Sequence, residues 1–175
     1  MLLVCCWYAA LAFQQASVWY DDASLFQAAA IACPSSAKVH VTLGATAMRE
    51  RNATAAEFHF AKALEIFPEY DDGLYSLGRL YFEGGIPGKE HLAAELLRRA
   101  LDANPMNDVA WDYHGQSLAR SGRLEEAELA MEQGVAASAR GNLALVRNLG
   151  VVKRALGKVK EGEALISEAD QKQSR

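Results

Sequence analysis

Four histidines, three cysteines, two Asp-Asp pairs and one Asn-Ala-Thr triplet are the groups in this 175-residue chain best suited to chemistry. His40, His59, His91 and His114 stand far apart, and none has a second ligand type at zinc spacing. They read as structural histidines. Cys5, Cys6 and Cys33 are too few and too clustered for a disulfide framework, and adjacent Cys5 and Cys6 would bridge only under strain. Buried thiols are one reading, and acylation of Cys5 and Cys6 beside a membrane is the other. Asp21-Asp22 and Asp71-Asp72 each precede a run with helical spacing, where acidic side chains suit the helix start. No glycine-rich loop follows a strand-like run, so no phosphate cradle is expected. Nothing here forms a catalytic constellation, and neither a metal nor a cofactor is expected. Asn52-Ala53-Thr54 is an N-glycosylation acceptor triplet, and it falls in a polar turn between two helical patterns.

The elements that must carry these groups are helices. Hydrophobic residues make up 51 % of the chain and charged ones 23 %, which suits a folded chain rather than a disordered one. Alanine, leucine and glutamate dominate, prolines number only four, and no strand pattern appears. The class expected is all-α. A net charge of −4 leaves no basic face for a nucleic acid.

The helices recur with a period of about 34 residues. Leu43-Gly44 is followed by Ala56, Phe60, Ala63 and Pro68, and Leu77-Gly78 by Ala93, Leu97, Ala100 and Pro105. Gly115 is followed by Ala127 and Met131, and Leu149-Gly150 by Gly162, Ile166 and Ala169. This spacing resembles the tetratricopeptide repeat, two antiparallel helices per unit, and implies a solenoid of about five stacked hairpins. The expected organisation is an apolar segment over 1–20 and an array over 21–175. The array comprises a degenerate stretch, 21–36, and units 37–70, 71–107, 108–141 and 143–175.

Each landmark has a packing reason. Gly44, Gly78, Gly115 and Gly150 should let the partner helix of the same unit approach closely. Phe60, Leu97, Met131 and Ile166 should fill the gap between units. Pro68 and Pro105 should end the second helices. "EGGIPGKE", Glu83 to Glu90, should be an enlarged surface loop, and "EADQKQSR" a polar terminal cap.

Arrays of this kind bind partners in the concave groove lined by the first helix of each unit. That face gives Lys38 and Arg49, then Tyr75, Arg79 and Phe82, then Asp112, Tyr113, Gln116 and Arg120, and finally Arg147 and Arg154. Arginines and aromatics together suit a protein or an extended peptide as the partner. Arg79→Glu or Tyr113→Ala is expected to weaken binding with melting nearly unchanged. The chaperone-tail clamp of some tetratricopeptide proteins needs lysine and asparagine where this chain has Val41, Ala45, Ser76, Val109 and Tyr113, so that partner class is not expected.

A second resemblance lies at the N-terminal junction. Trp19, Asp21-Asp22, Leu25-Phe26, Pro34 and Ala37-Lys38-Val39-His40 resemble the junction between the last membrane helix and the repeats in the transmembrane and tetratricopeptide repeat-containing O-mannosyltransferases. The basic residue usual before the tryptophan is absent here, and Ser36 stands where that family has asparagine. The resemblance implies repeats in the lumen of the endoplasmic reticulum, beside a catalytic membrane portion that this chain lacks. Met1–Tyr20 carries no charge, but its strongly apolar part runs 13 residues, short of the roughly 20 that span a bilayer. It is either the remnant of a membrane helix, giving membrane contact through 1–20, or a buried first helix of a free cytoplasmic scaffold.

Overall fold

The computed structural model of the chain describes residues 33–84, 89–138 and 141–174. Among these residues eight helices and no strand occur. They are α1 (Ala37–Arg49), α2 (Ala53–Ile66), α3 (Asp71–Glu83), α4 (Glu90–Ala103), α5 (Asp108–Arg120), α6 (Leu124–Ala137), α7 (Leu143–Ala155) and α8 (Val159–Gln173). The segments expected over 1–20 and 21–32, with Cys5 and Cys6, lie outside the described residues, as do 85–88 of the enlarged loop. The chain divides into two compact units, Met1–Phe67 and Pro68–Arg175. Among the described residues the first holds the α1–α2 hairpin, and the second holds three hairpins, α3–α4, α5–α6 and α7–α8.

Capping chemistry sets the helix ends. Ser36, Asn52, Asn107 and Asn142 each accept a hydrogen bond from the backbone N–H three residues on, starting α1, α2, α5 and α7. The second helices α2 and α4 end at Ile66 and Ala103, two residues before Pro68 and Pro105. Asp71 and Asp72 lie in the first turn of α3 without a side-chain cap. Asp71 instead accepts from Asn104 Nδ2 at 3.0 Å, tying the two ends of the hairpin together.

Three hairpins turn through the same motif. In α1 the N–H of Arg51 donates to Met48 O and that of Asn52 to Ala47 O. Gly122 with Arg123, and Gly157 with Lys158, repeat the pattern after α5 and α7. The middle residue must adopt a left-handed conformation, and Gly122 and Gly157 do so at φ 78° and 82°. Arg51 sits there at φ 59° with a side chain to accommodate. Arg51→Gly should therefore stabilise the first hairpin by about 1 kcal/mol. Chemical denaturation measures it.

The repeat glycines do what their spacing implies. A Cβ on Gly44 would lie 2.5 Å from the Phe60 ring, and one on Gly78 would lie 2.8 Å from Leu97. Gly115 faces Met131 in the same way, and Gly150 faces Ile166 at 2.8 Å. Phe60, Leu97, Met131 and Ile166 thus sit against the glycine of their own hairpin, and Leu97 and Met131 also pack on residues of the next hairpin, as their spacing suggested. The last hairpin is the tightest, because Gly162 replaces the alanine of the earlier units. A Cβ there would meet the Gly150 carbonyl oxygen at 2.5 Å. In the second unit Met131, Leu145, Leu149 and Val152 join successive hairpins into one core. Each such fully buried side chain contributes about 1.5–3 kcal/mol.

Candidate protein-binding site

Tyr75, Arg79 and Phe82 are spaced i, i+4, i+7 and therefore share one stripe of α3. Asp112, Tyr113, Gln116 and Arg120 likewise share a stripe of α5. The packing of α3 against α5 brings five of these seven together. The Tyr113 hydroxyl donates to Glu83 Oε1 at 2.8 Å, and Arg79 Nε donates to the same oxygen at 2.8 Å. The Tyr113 ring stands edge-on to Phe82 at 5.3 Å and lies 6.1 Å from Tyr75. Arg120 stacks over Phe82 with its guanidinium carbon 3.7 Å from the ring centre, and it donates to the Phe82 carbonyl at 2.9 Å.

This clustering shapes the electrostatics. Burial, and then the bond to Glu83, pushes the Tyr113 phenol up to about 12. Burial also raises Tyr75, with Arg79 acting against it. The bond to Glu83 holds the Arg79 guanidinium above its already high range. Both phenols stay neutral at physiological pH. Each guanidinium has five N–H donors, of which these internal bonds use only part.

The remaining predicted residues fall elsewhere. Asp112 accepts from Asn148 Nδ2 at 2.7 Å, linking α5 to α7, and Gln116 is half-buried on α5. Arg147 pairs with Asp170 of α8 at 3.3 Å, and Arg154 borders a depression with Ile166 and Ser167 of α8. Lys38 and Arg49 belong to the first unit and are exposed, Arg49 donating to Thr46 Oγ1 at 3.2 Å. Glu83 is the residue that sequence reasoning missed, having been assigned to the loop. The available signal was its place four residues after Arg79 on a helix.

Tyr113 also corrects an expectation. Its ring packs on the cluster of Leu97, Leu101 and Ala110. Tyr113→Ala must therefore lower stability as well as alter the surface, and Tyr113→Phe is the cleaner probe.

The other candidate groups have structural partners. His40 Nε2 lies 3.3 Å from the Pro34 carbonyl, which places its proton there, so His40 Nδ1 accepts from His59 Nδ1 at 3.2 Å. Burial, and then His40, lowers the His59 pKa. His91 is exposed, whereas His114 is buried with its Nδ1 unpartnered. Among the described residues Cys33 is a free, exposed thiol, and no group of three or more His, Cys, Asp or Glu side chains is placed to hold a metal. Asn52 is exposed, and its Oδ1 accepts from Ala55 N at 3.1 Å.

A second polar cluster was not anticipated. Lys153 of α7, 9 % exposed, pairs with Glu128 at 2.9 Å and Glu132 at 2.8 Å, both on α6, and with Glu161 of α8 at 3.2 Å. Glu128 also receives Lys158 at 2.7 Å. The signal was a charge at a repeat position that holds Ala47, Tyr81 and Leu118 in the other units.

No protein-family model matches the chain, and no curated protein does. Solved structures do match. A crystal structure of MamA superposes with a TM-score of 0.75 at 19 % identity, over 85 % of this chain and 85 % of that one. The structure of Pseudomonas aeruginosa pilF gives 0.65 at 24 % identity, over 76 % of this chain and 59 % of that one. The Thermobaculum terrenum O-GlcNAc transferase mutant K341M gives 0.58 at 26 % identity, over 67 % of this chain but 22 % of that one. Among the described residues no helix is long and apolar enough to cross a membrane. Helix pairs in tandem, each closing bulky side chain on glycine, give this chain the tetratricopeptide-repeat solenoid fold.

Proposed function

We propose that the chain is a protein-interaction module whose recognition surface centres on Tyr75, Arg79, Phe82, Glu83, Tyr113 and Arg120. The observation that carries this reading is the gathering of three aromatic rings and two guanidiniums from α3 and α5 into one cluster, in which Phe82 is buried, Tyr75, Arg79 and Tyr113 are half-buried and Arg120 is exposed. Rigid rings give contact area at low entropic cost, and the spare guanidinium N–H groups suit the carbonyls of an extended peptide. Removal of the Phe82 stacking partner by Arg120→Ala, or of the Tyr113 hydroxyl by Tyr113→Phe, should weaken capture of a partner. Variants that pull down the same proteins as the parent chain would sink this reading.

For its setting, we propose the endoplasmic reticulum lumen, as the repeat portion of an O-mannosyltransferase of the transmembrane and tetratricopeptide type. Support comes from the junction residues Trp19, Asp21-Asp22, Pro34 and Lys38-Val39-His40, and from the exposure of Asn52 in the turn between α1 and α2. Translation with microsomes tests it through a glycosidase-sensitive mass shift. Thr54→Ala is the proper control, because Asn52 caps α2 and must be kept. A shift lost in Thr54→Ala supports lumenal repeats. An unshifted, protease-sensitive chain supports a cytoplasmic scaffold instead.

A further inference from the structure

The α1–α2 hairpin departs from the repeat frame at two places that meet each other. His40 stands four residues before Gly44, where the other hairpins have Leu74, Trp111 and Val146. His59 stands three residues after Ala56, where they have Leu96, Ala130 and Leu165. Packing in this fold therefore asks for apolar side chains at both positions, and this hairpin holds an imidazole at each. The two lie 19 positions apart in sequence, one on each helix, and the fold brings their Nδ1 atoms to 3.2 Å. The pair belongs wholly to the first compact unit.

Three features of the pair suit a metal ion. The first is spacing. Two imidazole nitrogens on one tetrahedral zinc, each about 2.0–2.1 Å from it, stand about 3.3 Å apart. The second is the outer contact of His40, whose Nε2 lies 3.3 Å from the Pro34 carbonyl. A histidine that ligates through one nitrogen characteristically donates its other N–H to such a carbonyl, which fixes tautomer and ring direction. The third is the setting. Both rings are half-buried, and the contact of His40 with Pro34 is exposed, so the pair lies at the edge of the hairpin and not in its core. The ring centres are 5.4 Å apart with planes inclined by 30°, and one proton joins the two nitrogens. Exchange of that proton for a metal asks for a tilt of each ring and little change in nitrogen separation. Among the described residues no third His, Cys, Asp or Glu is placed to join them, so the other coordination positions fall to water.

We propose that His40 Nδ1 and His59 Nδ1 together bind a divalent, imidazole-preferring transition metal of the zinc class, which clips α1 to α2. In the free pair His59 carries its proton on Nδ1 and donates it to His40. Coordination displaces that proton, and His59 takes one up on Nε2, so the ring changes tautomer with no net release of protons. The site is separate from the surface on α3 and α5, and it stands or falls apart from that reading.

The test is a Zn2+ titration of the 15N-labelled full chain at neutral pH, followed at the ring nitrogens of His40 and His59, with Mg2+ as the oxygen-preferring control. The expected result is a movement at both rings with one shared midpoint, saturating below about 1 mM Zn2+. The His59 proton should pass from Nδ1 to Nε2 as it does so. His40→Leu and His59→Leu introduce the leucine that a sister hairpin holds at Leu74 and Leu96. Each should weaken zinc binding at the remaining ring at least tenfold. No saturable movement, movement at one ring alone, an unchanged His59 tautomer at saturation, the same response to Mg2+, or undiminished affinity in either variant would each overturn the proposal. The tautomer is read in the parent chain, so it decides the matter even if a variant does not fold.

Discussion

The groove that α4 and α6 form over α5 and the one that α6 and α8 form over α7 are built on the same repeat frame, yet they hold their buried polar group in opposite ways. The seventh residue of the first helix is His114 in one and Leu149 in the other, and the eleventh is Leu118 in one and Lys153 in the other. His114 is neutral, with one ring nitrogen left bare. Lys153 is charged and pinned by three carboxylates from two helices. The difference teaches that the frame fixes where a side chain is buried, while its neighbours decide the charge it carries there. Glu128, 9 % exposed, makes Lys153 tolerable, and no carboxylate touches the bare His114 nitrogen.

The largest expected effect lies on the Lys153 side. Lys153→Met should cost about 3 kcal/mol, because it strands the buried Glu128 carboxylate with Lys158 as its remaining partner. Glu161→Gln should cost under about 1 kcal/mol, since that side chain is 65 % exposed and its pair is screened. Urea denaturation separates the two. Equal costs would mean that the network is surface decoration and that the contrast between the grooves is false.

On the other side, His114→Leu restores the residue of the sister repeats and removes a buried nitrogen without a hydrogen-bond partner. It should stabilise the chain by about 1 kcal/mol in the same denaturation. A lower midpoint would show that the histidine is needed for packing, and the two grooves would then differ less than their geometry indicates.

The smallest effect is with pH. The folded state holds His114 below its ordinary 6.5, first by burial, so the unfolded chain binds that proton more readily. Its contribution is present above pH 6.5 and is lost as pH falls from there toward the depressed folded value. The slope is at most about 1.4 kcal/mol per pH unit for one proton. Lys158 and then Lys153 hold Glu128 below 4.5, so its contribution survives this range and is lost only on further acidification, as pH falls from 4.5 through its folded value. Lys153 is held above 10.5, chiefly by Glu132 and Glu128, and its part is lost only as pH rises through that raised value. Stability falling between pH 6.5 and 5 in the parent chain, and falling less steeply there in His114→Leu, would sharpen the comparison. His59, also depressed by burial, contributes a loss in the same window that persists in both chains.

Much of this architecture was readable from residue types at fixed intervals. Helical spacing, capping residues and the position of proline are local properties, so the helix ends near Pro68 and Pro105 follow from the chain itself. The recurrence of glycine opposite a bulky residue told which helices must touch. It did not tell that Met131 would touch both Gly115 of its own hairpin and Leu145 of the next, because a period specifies spacing and not how many neighbours one side chain meets. The rings of the α3 and α5 surface were likewise legible as a stripe. Glu83, which joins Tyr113 to Arg79, was not, because it adjoins glycines that read as loop.

The sequence by itself determined the class, the hairpin and the identity of the residues on each helix face, since these depend on periods of a few residues. Tertiary structure alone decided that Glu128 and Lys153 form a buried pair, 25 positions apart in sequence, and that His114 is buried with one nitrogen unpartnered. The reason is physical. Burial and ionisation depend on distances between side chains from different helices, and those distances are set by how hairpins stack, which no local pattern encodes.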